Sequence, residues 1–116
     1  MELTTEELAG GITRVALDGR LDIEGAQAID LKMSVIAGSK PLVLVDMRKV
    51  SFLGSMGLRT LITVARTVKG RGGKSALFGP VELVERVLKA SGIDSYIPIH
   101  HDLQTAISSL SGTVSG

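Results

Sequence analysis

An α/β fold, with a mixed sheet of about four to five strands, largely parallel and packed with about four helices, is predicted by three observations. Apolar spacing switches repeatedly between the two-residue period of strands and the 3.6-residue period of helices. The run Leu42-Val43-Leu44-Val45 is continuously apolar and rich in β-branched residues, as in a strand covered on both faces. Strand and helix signals then alternate along the chain, which calls for βαβ crossovers and therefore for parallel neighbours.

The elements follow in order. Glu2 to Leu8 is a strand candidate, and Gly10-Gly11 turns the chain into a second strand from Ile12 to Asp18, so the N-terminus reads as a hairpin. Gly19 offers a turn and Asp22 an N-cap for a first helix, whose face is Ala26, Ile29, Met33, Ile36 and Ala37 and whose stop is Gly38 with Pro41. The central strand, Leu42 to Val45, ends at Asp46. After the stretch Val50 to Gly57, a second helix carries Leu58, Leu61, Ile62, Ala65 and Val68 on one stripe, with Arg59, Thr63, Arg66 and Lys69 elsewhere. Gly70-Arg71-Gly72-Gly73 ends it, and Ser75 to Phe78 is a short buried strand. Gly79-Pro80 opens a third helix with Val81, Val84, Val87 and Leu88, closed by Ser91-Gly92. Ile97-Pro98-Ile99 is a short edge strand, and Asp102 caps a last helix through Leu103, Ala106, Ile107 and Leu110. One domain over residues 1–110 and a frayed tail over 111–116 are expected.

Composition excludes several classes. With no Cys, disulfide frameworks, thiolate zinc sites and thiol catalysis are impossible. Thirteen basic against twelve acidic residues, and only three aromatics (Phe52, Phe78 and Tyr96), argue against a nucleic-acid partner. The N-terminus lacks the regions of a signal peptide and no apolar run nears the ~20 residues that span a bilayer, so no membrane partner and a cytoplasmic location are expected. No cofactor or metal is expected either. His100 and His101 are adjacent and diverge in an extended segment, and with Asp102 they make a poor metal signal. A nucleophile elbow fails because Leu53 stands where its first glycine should be, so the chain is not read as an enzyme and no catalytic residue is assigned.

The candidate site is Ser55, in Val50-Ser51-Phe52-Leu53-Gly54-Ser55-Met56-Gly57-Leu58, where a loop leaving an apolar strand meets the first turn of the second helix. A hydroxyl there can cap the helix, or carry a phosphate where free N–H groups and the positive dipole end suit an anion. Loops at the carboxyl ends of parallel strands gather on one edge, so Leu21-Asp22, Asp46-Met47, Phe52 to Met56 and Gly79-Pro80 are expected to converge. Asp22 reads as cap or contact residue, Asp46 as a turn or contact residue, and Phe52 as core plug or contact residue.

In these segments the chain resembles the STAS domain family, and within it the bacterial anti-sigma-factor antagonists. Gly19-Arg20-Leu21-Asp22 is similar to that family's Gly-x-Leu-Asp, and Leu44-Val45-Asp46 to its central strand. Ser51 to Leu58 is similar to its phosphoacceptor loop, with Gly54 in place of the usual Asp and Met56 in place of a second hydroxyl. Gly72-Gly73-Lys74 through Gly79-Pro80-Val81, then Val87-Leu88 and Ser91-Gly92-Ile93, follow the closing pattern. The resemblance implies partner switching: the unphosphorylated protein binds an anti-sigma factor that is also a serine kinase of the GHKL type, phosphorylation of Ser55 breaks the complex, and a serine phosphatase resets it. Asp22, Asp46, Phe52, Gly54, Met56 and Arg59 are the candidate partner contacts. The alternative is a STAS module that binds a small ligand or nucleotide at the same helix start, without control by phosphorylation.

Overall fold

The computed structural model describes residues 1–111, and the tail expected beyond Ser111 lies outside the described residues. Strands β1 (Glu2–Leu8), β2 (Ile12–Leu21), β3 (Leu42–Leu53), β4 (Lys74–Phe78) and β5 (Ile99–His100) form one sheet in sequence order. Helices α1 (Ile23–Ser39), α2 (Ser55–Gly70), α3 (Glu82–Ser91) and α4 (Leu103–Ser111) connect or close it. The first pair is antiparallel and the other three are parallel, as the crossover argument requires. Gly10 and Gly11 both take positive φ (84° and 78°) in the hairpin turn, a conformation glycine adopts without a Cβ penalty. Ser111 is the last residue of α4 rather than the start of a tail.

Alternation along β3 divides the core. Val43, Val45 and Met47 face α1, α2 and α3 in the larger cluster, with Ile29, Met33, Leu61, Val68, Val84 and Leu88. Leu44, on the opposite face, packs with Ile12, Ala76 and Phe78 under Ala106 and Leu110 of α4. Leu42 to Val45 therefore is a central strand covered on both sides. The α1 face read from periodicity is the buried one. On α2 Leu61, Ala65 and Val68 are buried and Val64 joins them, while Leu58 and Ile62 are only half-buried. On α3 Val81 drops out, standing before the helix at 45% exposure.

One boundary differs in a way that places the site. β3 does not end at Asp46 but runs seven residues further, to Leu53, paired with the end of β2. The β2–β3 register shifts between Ala16 and Asp18 and again between Gly19 and Arg20, each time taking one more residue from β3. Two such bulges break the strict alternation, so burial after Met47 falls on Val50 and Leu53 and the polar residues Arg48, Lys49 and Ser51 read locally as loop. β4 pairs with β3 only as far as Asp46, so β2 and β3 run on beyond it, flanked by β1 as far as Asp18 and then as a two-stranded arm of Gly19 to Leu21 against Val50 to Leu53. At about 3.3 Å per residue the arm reaches roughly 20 Å past the end of β4.

Candidate functional site

Ser55 stands at the tip of that arm as the first residue of α2. The helix is capped by Gly54, which has extended backbone and no capping side chain, so the expected hydroxyl cap is absent. Freed from that role, the Ser55 side chain is exposed and donates to none of the described residues. The segment Phe52 to Met56 is not a loop: Phe52 and Leu53 belong to β3, Ser55 and Met56 to α2, and Gly54 alone joins them.

The junction is held by the end of β2. The Gly54 N–H donates to the Leu21 carbonyl oxygen at 3.1 Å. A Cβ on Gly57 would lie 2.6 Å from that same oxygen and 2.8 Å from Leu53 Cδ1, so only glycine lets the first turn of α2 settle there. Gly25, in the first turn of α1, is packed in the same way against the Arg20 carbonyl. Asp22 caps α1, accepting from the Gly25 N–H at 2.8 Å, while Arg20 Nε lies 3.4 Å from its other oxygen. The Gly25 hydrogen bond, outweighing the opposing effect of desolvation and aided by Arg20, holds the Asp22 carboxyl below its ordinary value of 3.8.

Around Ser55 the surface is mixed in character. Phe52 pairs across the strands with Arg20, whose guanidinium stacks 4.4 Å from the ring centroid, and it is 40% exposed rather than a core plug. A Cβ at position 54 would come 3.2 Å from the half-exposed Phe52 ring, a tight contact that a small shift of the ring relieves. Ile23, next to the Asp22 cap, is 61% exposed and was not singled out from sequence; its signal is an apolar side chain outside the α1 stripe. Met56 and Arg59 line a cleft of about 330 Å³ between α1 and α2 with Ala26, Gln27, Asp30 and Thr60.

Two expectations about the edge are corrected. Asp46 is neither at a strand end nor on the edge: it lies inside β3, its side chain 6% exposed, and Arg14 Nη2 and Arg48 Nη2 donate to it at 2.6 and 2.8 Å. Burial raises the Asp46 carboxyl, but the hydrogen bonds from Arg48 and Arg14 prevail and hold it below 3.8. With its oxygens engaged by Arg14 and Arg48, Asp46 anchors β3 to β2 inside the sheet instead of standing on the edge beside Ser55. Gly79, at φ 69°, sits at the level of Arg48, where its Cβ would meet Arg48 Cγ at 2.5 Å, and so does not join Ser55 because β3 has continued past it. His101 Nε2 lies 3.0 Å from the Glu85 carboxylate on α3.

Fold and tip together define a small α/β domain that displays one serine hydroxyl at a helix start, framed by two glycine-mediated contacts to the neighbouring strand. The chain belongs to the STAS domain family, whose model matches residues 5–106. Among curated proteins it is 26% identical over 106 residues to the anti-sigma-F factor antagonist RsfB of Mycobacterium tuberculosis, covering 88% of this chain and 84% of that one. Among solved structures, an anti-sigma factor antagonist from Mycobacterium paratuberculosis superposes with a TM-score of 0.86 at 24% identity, covering 96% of this chain and 94% of the other. The phosphorylated form of the Bacillus cell fate determinant SpoIIAA gives 0.71 at 20% identity, covering 93% and 98%.

Proposed function

We propose that this protein is an anti-sigma-factor antagonist that works by partner switching, with Ser55 as its phosphoacceptor. The observation that carries the reading is the Ser55 hydroxyl: exposed, without a hydrogen-bond partner among the described residues, and set at a helix start at the tip of the β2–β3 arm. The antagonist names of its relatives support the role, and a phosphorylated form is known for one fold neighbour. In its unmodified state the tip, with Asp22, Phe52, Gly54, Met56 and Arg59, docks on an anti-sigma factor that is also a GHKL-type serine kinase. A serine phosphatase restores the docking-competent form, and the exchange takes place in the cytoplasm.

The chemistry of the switch follows from the placement. A phosphate brings about −1.5 to −2 charges to Ser55, and the α2 N-terminus favours them by ~0.3–1 kcal/mol, so the free domain keeps its fold. Burying the same dianion under a partner costs several kcal/mol unless a cation meets it, and each ~1.4 kcal/mol is tenfold in affinity. Regulation therefore acts on the complex and not on the fold. Incubating the protein with the candidate kinase and ATP, then mapping the modified residue by mass spectrometry, tests the proposal: phosphate on Ser55 supports it, and phosphate confined to another residue ends it.

A further inference from the structure

The basic residues of this chain are not distributed evenly. Seven of the thirteen lie between Met47 and Val81, a stretch with no acidic residue at all. Ion pairs within 4.0 Å engage Arg14, Arg20, Lys40, Arg48, Arg86 and Lys89 among the described residues. Of the remaining seven, five fall on α2 and its exit. Arg71 turns towards α1, donating to the carbonyl oxygens of Ala37 and Lys40. Arg59, Arg66, Lys69 and Lys74 are exposed and have no carboxylate partner within 4.0 Å among the described residues.

Their spacing makes them one feature. At about 100° per residue, Ser55, Arg59, Ile62, Arg66 and Lys69 fall within roughly 80° of the helix circumference, opposite the buried Leu61, Val64 and Val68. Lys69 stands in the last turn, where the helix C-terminus favours a cation. Arg59, however, lies near the positive end of the dipole and Arg66 three residues from Lys69, so those two are not explained by the needs of α2 itself. Below the stripe, Lys69 and Lys74 line a cleft of about 240 Å³ with Tyr96, Pro98 and Leu110, and the Tyr96 ring lies 5.9 Å from the Arg66 guanidinium. Cations around a partly apolar hollow match carboxylates carried on a protein segment. A nucleic acid would ask for an excess of positive charge that a net +1 chain lacks.

We infer that the solvent face of α2, from Arg59 to the Lys69–Lys74 cleft, docks an acidic segment of the same partner that covers Ser55. This rests on the docking reading of the tip and adds a second, purely electrostatic contact to it. Such a contact sets encounter rate and salt dependence, with the tip left to decide whether the complex persists. Because Ser55 heads the stripe, its phosphate falls one turn from Arg59 and reduces the positive charge that an acidic partner meets first.

The test is calorimetric titration of the candidate kinase into wild type, R59E/R66E, K69E/K74E and S55D at about 50 mM and about 300 mM NaCl, with circular dichroism to establish folding. Wild-type affinity should fall at least ~10-fold between the two salts, and each reversal pair should lose ~10-fold at low salt and flatten that dependence. S55D should weaken binding and lower the salt dependence less than either reversal pair does, since it leaves all four cations in place. Reversal variants that fold and bind like wild type, or wild-type binding indifferent to salt, would overturn the inference. Should the kinase not bind wild type, the partner reading fails and a second arm decides the surface. A fluorescent Glu/Leu peptide, a short DNA duplex and phosphatidylglycerol vesicles are titrated into wild type and R59E/R66E. Peptide binding lost in the variant sustains an acidic-protein surface, and preference for DNA or vesicles, or no binding, refutes it.

Discussion

Leu21 and Gly57 meet so closely that a Cβ on Gly57 would stand 2.6 Å from the Leu21 carbonyl oxygen, the same atom that accepts the Gly54 N–H at 3.1 Å. One carbonyl at the end of β2 thus receives the hydrogen bond that ends β3 and sets how near α2 begins. Gly57→Ala should cost ~1–3 kcal/mol through overpacking against backbone that cannot move aside. Urea denaturation should show a lower midpoint with an unchanged m-value. A variant as stable as wild type would mean that the junction is looser than its geometry.

Asp22 holds the other helix at this tip. Asp22→Ala removes the acceptor for the Gly25 N–H and should cost ~1 kcal/mol, whereas Asp22→Asn, which keeps an oxygen there, should retain most of it. Thermal melts of the three proteins distinguish a capping role from a contact role: equal melting temperatures together with weaker partner binding would assign Asp22 to the interface alone.

Asp46 makes stability depend on acid. Its carboxyl titrates below 3.8 in the folded protein, so its contribution is present in full above that ordinary value and is lost as pH falls through the lowered one. Stability should therefore decline below about pH 4, and Asp46→Asn should flatten part of that decline while costing ~1–3 kcal/mol at neutral pH, where Arg14 and Arg48 lose their shared carboxylate. Denaturant midpoints measured across the acid range give both numbers. A neutral-pH stability unchanged by the substitution would count against the anchor.

For Ser55, Ala and Asp should separate modification from fold. Ser55→Ala should bind the partner and accept no phosphate, while Ser55→Asp should weaken binding by up to ~100-fold with little change in melting temperature. The hydroxyl makes no hydrogen bond that either change would remove among the described residues. Equal partner affinity for wild type and Ser55→Asp would refute the switch.

Much of this was legible in the residues themselves. The faces of α1 and α2, the hairpin at Gly10-Gly11, the caps Asp22 and Asp102 and the central place of Leu42 to Val45 depend on neighbours within one or two turns, and local periodicity reports them. Ser55 at a helix start belongs with these.

Where Ser55 stands in space was decided otherwise. Two bulges carry β3 past Asp46 and past the end of β4, so that Ser55 tops an arm instead of sharing an edge with Gly79. Asp46, which reads as a strand terminus, becomes a buried anchor because Arg14, 32 residues earlier in the chain, lies on the adjacent strand. Register and ion pairing join residues that are remote in the chain, and a bulge leaves no local mark beyond a lapse in alternation. The amino-acid order therefore determined which elements form and which serine begins α2, and only the assembled sheet decided that this serine stands exposed at the tip of the β2–β3 arm.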